Sequence, residues 1–179
     1  SAEGLFFPDT YVFDPGESDL IIYRRAAGAM QKNLANAWSK VPNANVLKTP
    51  YDLLILASII EKETGKAEER PQISGVFVRR LQKGMRLETD PTVIYGIGDG
   101  YDGNIRKKDL QTVTPYNTYR MHGLPPTPIA MPGRAALEAA AHPAPGESLF
   151  FVATGDGGHV FSATYEQHRK AVKTYQLKP

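Results

Sequence analysis

Apolar residues run almost unbroken from Leu53 to Ile60 (Leu-Leu-Ile-Leu-Ala-Ser-Ile-Ile) and stop at Glu61-Lys62-Glu63-Thr64. Thr49-Pro50 ahead of the run supplies a capping hydroxyl and a proline at the first helical position, with Asp52 in the first turn. The pattern predicts a helix from about 50 to 64, ended by Gly65. Its wheel is apolar nearly all round, only Ser58 and Lys62 sharing a polar sector, so the helix belongs in the core. Ser18 can cap a helix to about Trp38 that carries Ile22, Ala26, Ala29, Met30, Leu34 and Ala37 near one face. Another spans about 68–83, with Ile73, Val76, Phe77, Arg80 and Leu81 at helical spacing and Gly84 as its stop. Residues 134–142 read as a short alanine-rich helix closed by Pro143, and Thr164 with Gln167 makes a capping box for a last helix.

Strand signals are fewer. Leu149–Ala153 and His159–Ser162 flank Thr-Gly-Asp-Gly-Gly and predict a β-hairpin near the C-terminus. Residues 5–16 read as a strand or extended aromatic segment ending in a turn, and 41–48 as a loop. Residues 85–133 show little periodicity and are rich in Pro, Gly, Thr and Tyr; so long a loop region is unusual unless it is functional. Helices mix with short, mostly antiparallel strands without a βαβ rhythm, which makes the fold class α+β.

Composition narrows the function classes. A chain of 179 residues reads as one domain, 1–179, able to bury a core without staples. The absence of cysteine excludes disulfides, thiolate catalysis and cysteine-ligated zinc. A net charge of +2, from 21 basic and 19 acidic residues, is too small to make nucleic acid the expected partner. No apolar run approaches the roughly 20 residues that span a bilayer. Ser1-Ala2 reads as a cloning remnant, so any anchoring segment is expected to have been cut away.

Three segments carry candidate chemistry. Glu61 falls between Leu54 and Ala57 on the wheel and Glu63 between Leu56 and Ile59, so periodicity does not choose between them. A carboxyl at the end of an apolar helix is pushed toward its neutral form and can then serve as a general acid; the structural alternative is pairing with Lys62, Lys66 or an arginine. Glu88 and Asp90 face the same way if extended and could line a groove, or Asp90 could bond its own backbone in an Asp-Pro-Thr turn. Tyr116, Asn117 and Tyr119 offer rings and an amide suited to sugars, or simply a stiff loop before Gly123-Leu-Pro-Pro126. Gly96-Ile-Gly98-Asp-Gly100 lacks the ending of a P-loop, no His-Glu-x-x-His or Gly-x-Ser-x-Gly occurs, and Ser58 is expected to bond a carbonyl one turn back.

Taken in order, Glu3-Gly-Leu-Phe-Phe-Pro-Asp-Thr-Tyr11, Ala57-Ser-Ile-Ile-Glu-Lys-Glu-Thr64, Val76-Phe-Val-Arg-Arg-Leu-Gln-Lys-Gly-Met-Arg-Leu87, Thr89-Asp-Pro-Thr-Val-Ile-Tyr-Gly96, Tyr116-Asn-Thr-Tyr119, Gly123-Leu-Pro-Pro126 and Phe150-Phe-Val with Gly158-His-Val-Phe161 cover nearly the whole chain. Together they resemble the catalytic domain of the endolytic murein transglycosylases, the YceG-like family. The resemblance implies a lyase that cuts the β-1,4 bond between N-acetylmuramic acid and N-acetylglucosamine within peptidoglycan strands, leaving 1,6-anhydro ends. It implies Glu61 as general acid then base, with Glu63 pairing to a neighbouring cation. Glu88, Asp90, Tyr95, Tyr116, Asn117 and Tyr119 are expected to contact substrate, and no cofactor or metal is expected.

The expected partners are glycan strands and, through the family, peptidoglycan synthases. The resemblance also implies a transmembrane helix and a LysM-like lobe ahead of this domain in the parent protein, at the periplasmic face of the inner membrane. One position departs from the expected pattern, since glutamine is expected at Glu88. As a cleft residue Glu88 would raise the pKa of Glu61 or supply a second carboxylate for a muramidase-type hydrolase; replacement of one hydrogen-bond acceptor by another is the simpler reading. A non-catalytic glycan-binding module is the remaining alternative.

Overall fold

Around one buried helix the chain wraps four others. The structure, a computed structural model, describes residues 2–42 and 45–176. Ser1, two residues of the expected 41–48 loop and the last three residues of the expected domain lie outside that part. The helices are α1 (Asp19–Trp38), α2 (Pro50–Glu63), α3 (Arg70–Gln82), α4 (Asp90–Ile97), α5 (Lys107–Gln111), α6 (Arg134–Ala141) and α7 (Tyr165–Tyr175). The two strands β1 (Phe150–Ala153) and β2 (His159–Ser162) pair antiparallel, Phe151 opposite Phe161 and Ala153 opposite His159. The fold is therefore α+β, with its sheet confined to the C-terminal hairpin.

Every residue of α2 from Leu53 to Ile60 is buried, and the helix touches α1, α3, α4 and α6. Its start follows the expected chemistry: Thr49 Oγ1 accepts from Asp52 N–H at 3.1 Å while Asp52 Oδ2 accepts from Thr49 N–H at 3.0 Å. Ser58 donates to Ile55 O at 2.7 Å and also accepts from Ile129 N–H at 3.0 Å, so the one hydroxyl of the apolar run pins a distant loop. The helix ends at Thr64 in extended conformation, without the left-handed glycine expected at Gly65. Gly84 does play that part after α3: its φ is +65° and Met85 N–H reaches back to Arg80 O at 2.8 Å.

One sequence reading narrows and one changes. Of the two forms expected for residues 5–16, the extended segment ending in a turn is found and the strand is not; Pro8 and Pro15 interrupt the segment, and Phe7 N–H bonds Ala26 O of α1 at 3.0 Å in place of a neighbouring strand. The tract 85–133 contains α4 and α5, which are eight and five residues long, too short to show a helical period. The hairpin rests on α7 and on α3, where Phe77 meets the Phe151 ring edge-on at 5.7 Å between centroids.

Candidate active site

A cleft of about 350 Å³ opens between the end of α2 and the hairpin. Glu63, Leu87–Asp90 and Tyr119 form one wall, Phe150 and His159 of the hairpin with His168 of α7 the other, and Arg80 of α3 lies between them. α2 delivers Glu63 because its last turn outruns the core that buries the turns before it.

A buried set of hydroxyls aims at that carboxyl. Thr89, Thr92 and Thr118 are all buried, Thr92 Oγ1 donating to Thr89 O at 2.7 Å and lying 2.8 Å from Thr118 Oγ1. Thr118 Oγ1 in turn accepts from Thr89 N–H at 3.0 Å. This fixes the start of α4, and Thr89 Oγ1 donates to Glu63 Oε1. Oε2 makes no hydrogen bond to the described residues and is not sealed from solvent. Burial pushes the Glu63 carboxyl up to about 7 against the lowering effect of the Thr89 hydroxyl, and the nearby Asp90 charge adds to the rise. The group is thus about half protonated at neutral pH, where an ordinary glutamate is almost wholly ionised, and has one oxygen free for a ligand.

Glu61 sits elsewhere. Its Oε2 accepts from Gly133 N–H at 2.9 Å, at the residue that caps α6, and its Oε1 lies 4.0 Å from Arg70 Nη2. A carboxylate at a helix N-terminus is favourably placed, and this one ties α2 to α6. The cation pairing expected of Glu63 therefore belongs to Glu61, and the cleft position expected of Glu61 belongs to Glu63.

The other expected contact residues divide. Glu88, Asp90 and Tyr119 line the cleft. Tyr119 donates to Asp90 Oδ1 at 2.7 Å; burial and that bond raise the phenol pKa, so it remains a donor. Asp90 does not fold back on its own backbone but opens α4. Tyr95 and Tyr116 instead pack edge to face at 4.8 Å against the core, with Tyr116 Oη 2.8 Å from Thr127 Oγ1, and neither borders the cleft. Asn117 is also withdrawn from it: 1% exposed, its Nδ2 holds Asp109 O, Leu110 O and Thr112 O, and its Oδ1 accepts from Tyr119 N–H at 2.9 Å. An amide buried and bonded in this way staples the loop and is out of reach of a sugar.

Glu88 is the one described non-glycine residue with positive φ, at 53°, a conformation that costs a side chain about 1 kcal/mol or more. Its N–H donates to Thr118 O at 3.2 Å and its Oε2 accepts from Arg80 Nη1 at 3.1 Å. The charge that bears on Glu63 is that of Asp90; Glu88 is paired with Arg80. Arg80 was visible in the sequence only as an arginine in an apolar stripe. Its guanidinium also donates to Leu149 O, Arg86 O and Leu87 O and lies 5.0 Å over the Phe150 ring. Among the described residues, no group of three or more His, Asp or Glu is placed to hold a metal ion.

The YceG-like family model matches residues 1–174. The chain belongs to the YceG-like family. An endolytic murein transglycosylase of Bacillus subtilis (strain 168) is 38% identical over 173 residues, 97% of this chain and 48% of that protein. One of Streptococcus pneumoniae (serotype 2, strain D39) is 32% identical over 169 residues, 92% of this chain and 30% of that protein. The fold matches the crystal structure of a yceG-like protein from Listeria monocytogenes with a TM-score of 0.83 at 38% identity, covering 94% of this chain and 55% of that one. The chain spans about half the length of the first relative, 48%, and less of the second. No helix among the described residues is long and apolar enough to cross a membrane.

Proposed function

We propose that this chain is the catalytic domain of an endolytic murein transglycosylase, cleaving the β-1,4 bond between N-acetylmuramic acid and N-acetylglucosamine with Glu63 as its acid. The substrate class comes from the name its relatives carry. The observation that carries the assignment of the acid is the Glu63 carboxyl, pushed up to about 7 with one oxygen free in the cleft. Neutral Glu63 donates its proton to the glycosidic oxygen as the bond to the anomeric carbon breaks. The C6 hydroxyl of the same muramic sugar bonds that carbon, giving the 1,6-anhydro ring, and its proton passes to the Glu63 carboxylate. The leaving oxygen and the anhydro bridge lie on one face of the sugar, so one carboxyl serves both steps. Intramolecular attack supplies the proximity that a hydrolase obtains from a second carboxylate and a held water.

Tyr119 and Asp90 are in place to hold hydroxyls of the sugar, and the domain would work at the periplasmic face of the inner membrane, where that polymer lies. The experiment that tests this function is digestion of sacculi with analysis of the new ends.

Two outcomes are expected beside it. kcat/KM for strand cleavage should be level below pH about 7 and fall about tenfold per pH unit above it, since the active form is the protonated one. In Asp90→Asn that limb should move to lower pH, because the Asp90 charge helps to raise Glu63; a pH–rate profile of both proteins checks it. Glu88→Gln should stay within about threefold of the parent rate with unchanged products, because an amide oxygen can accept from Arg80 as the carboxylate does. A hydrolase using Glu88 would instead lose its reducing-end products.

A further inference from the structure

The cleft holds a second built group that the mechanism above does not use. His159 opens β2 and borders the same cleft as Glu63. Glu69, from the 3-10 turn Ala67–Glu69 just before α3, grips it at two points: Oε1 accepts from His159 N–H at 3.0 Å and Oε2 lies 2.8 Å from Nδ1. Both side chains are largely buried, 10% and 14% exposed. Phe151 meets the imidazole edge-on at 5.3 Å, which fixes the plane of the ring.

The hairpin turn is shaped for this grip. A Cβ on Gly158 would lie 2.7 Å from Lys66 Nζ and 3.0 Å from Glu69 Oε1, so glycine before His159 leaves the carboxylate room that a larger residue would make it yield. Against the upward push of burial, the two bonds from His159 hold the Glu69 carboxyl below its ordinary range. An ionised carboxylate only accepts, so Nδ1 must carry the proton. Nε2 then offers a lone pair in the neutral ring and an N–H in the imidazolium, and it has no hydrogen-bond partner among the described residues.

We infer that His159 is a substrate-contacting residue, its Nε2 hydrogen-bonded to a hydroxyl of the glycan bound across Glu63, and that Glu69 is the positioning residue that holds Nδ1 and with it the orientation of the ring. The inference rests on the proposed glycan-cleaving function of the cleft. It accounts for a buried, doubly bonded histidine whose second nitrogen is left unused by the fold. The arrangement matches the way ligand histidines are oriented, a carboxylate on one nitrogen setting what the other can do.

The two amide replacements separate the nitrogens, since asparagine puts an N–H near the position of Nδ1 and glutamine puts polar atoms near that of Nε2. In the full chain, His159→Asn should keep the Glu69 bond and a thermal midpoint near that of the parent, while kcat/KM for defined glycan strands falls about tenfold or more. His159→Gln should lose thermal stability and keep more of the activity than His159→Asn. A folded His159→Asn protein with the parental kcat/KM overturns the inference and leaves the pair a structural clamp. Should His159→Asn fail to fold, Glu69→Gln answers instead, because its amide can donate to Nδ1 and so release the tautomer. A tenfold fall there supports the inference and a parental rate overturns it. Glu63→Gln assayed alongside keeps the two readings apart: if it remains active, the function assigned to the cleft fails, and if it alone is inactive, only the role of His159 fails.

Discussion

Glu63→Gln should lower glycan-strand cleavage by about 100-fold or more while leaving the protein folded. General acid catalysis is worth roughly 10²–10⁴ in rate, and an amide has no proton to give at this position. The fold should not suffer, because the introduced amide oxygen can still accept from Thr89 Oγ1. At high pH it should gain. A carboxyl raised from 4.5 to about 7 by folding is neutral in both states below 4.5, but above 7 its ionisation weighs against the folded state. The variant should therefore equal the parent in stability near pH 4 and exceed it at pH 8 by on the order of 1–3 kcal/mol, read from urea melts at the two pH values. An acid that serves catalysis at a cost to stability is expected to show this opposition, and a structural carboxylate is not. Glu61→Gln is the contrast: its amide oxygen still accepts from Gly133 N–H, so it should keep most of the activity.

Arg80→Met should be the most destabilising single change considered, by about 3–5 kcal/mol. Arg80 is 6% exposed, and its guanidinium serves Leu149 O at 2.6 Å, Arg86 O at 2.9 Å, Leu87 O at 3.0 Å and Glu88 Oε2 at 3.1 Å. Methionine fills much of the volume but leaves three carbonyls without this donor, at about 1–3 kcal/mol for each that stays unpaired, while Glu88, 44% exposed, loses a partner that solvent can replace. The strained Glu88 backbone is held partly from this side, so the wall carrying Glu88–Asp90 should loosen too. Chemical denaturation measures the loss. A change below about 1 kcal/mol would mean that solvent takes over the guanidinium's role.

Local signals in the sequence were enough to place α2, α7 and the hairpin. Thr164 with Gln167 forms the capping box that its spacing predicts, and the Thr49 hydroxyl caps α2 as expected, with Asp52 completing a second box; each is closed within four residues. α4 escaped because eight residues broken by Gly96 carry no period, although Thr89-Asp90-Pro91 is itself a helix start. The site was less legible for a different reason. Glu61 and Glu63 differ only in what meets them from far along the chain: Gly133, 72 residues away, takes one, and Thr89, 26 residues away, takes the other. No wheel contains those contacts. Asn117 and Tyr116 looked like ligand groups because amides and rings bind sugars, yet both are spent on carbonyls and neighbouring rings. Two of the ordered motifs meet in space, since Thr89-Asp-Pro-Thr92 and Tyr116-Asn-Thr-Tyr119 together build the hydroxyl set behind Glu63.

The proposed function turns on Glu63 protonating the leaving oxygen in a lytic cleavage. Mass spectrometry of muropeptides from sacculi treated with the parent, Glu63→Gln and Glu61→Gln proteins decides it. New 1,6-anhydro ends are expected from the parent and from Glu61→Gln, and none from Glu63→Gln. Anhydro ends that persist with Glu63→Gln and vanish with Glu61→Gln would refute the assignment.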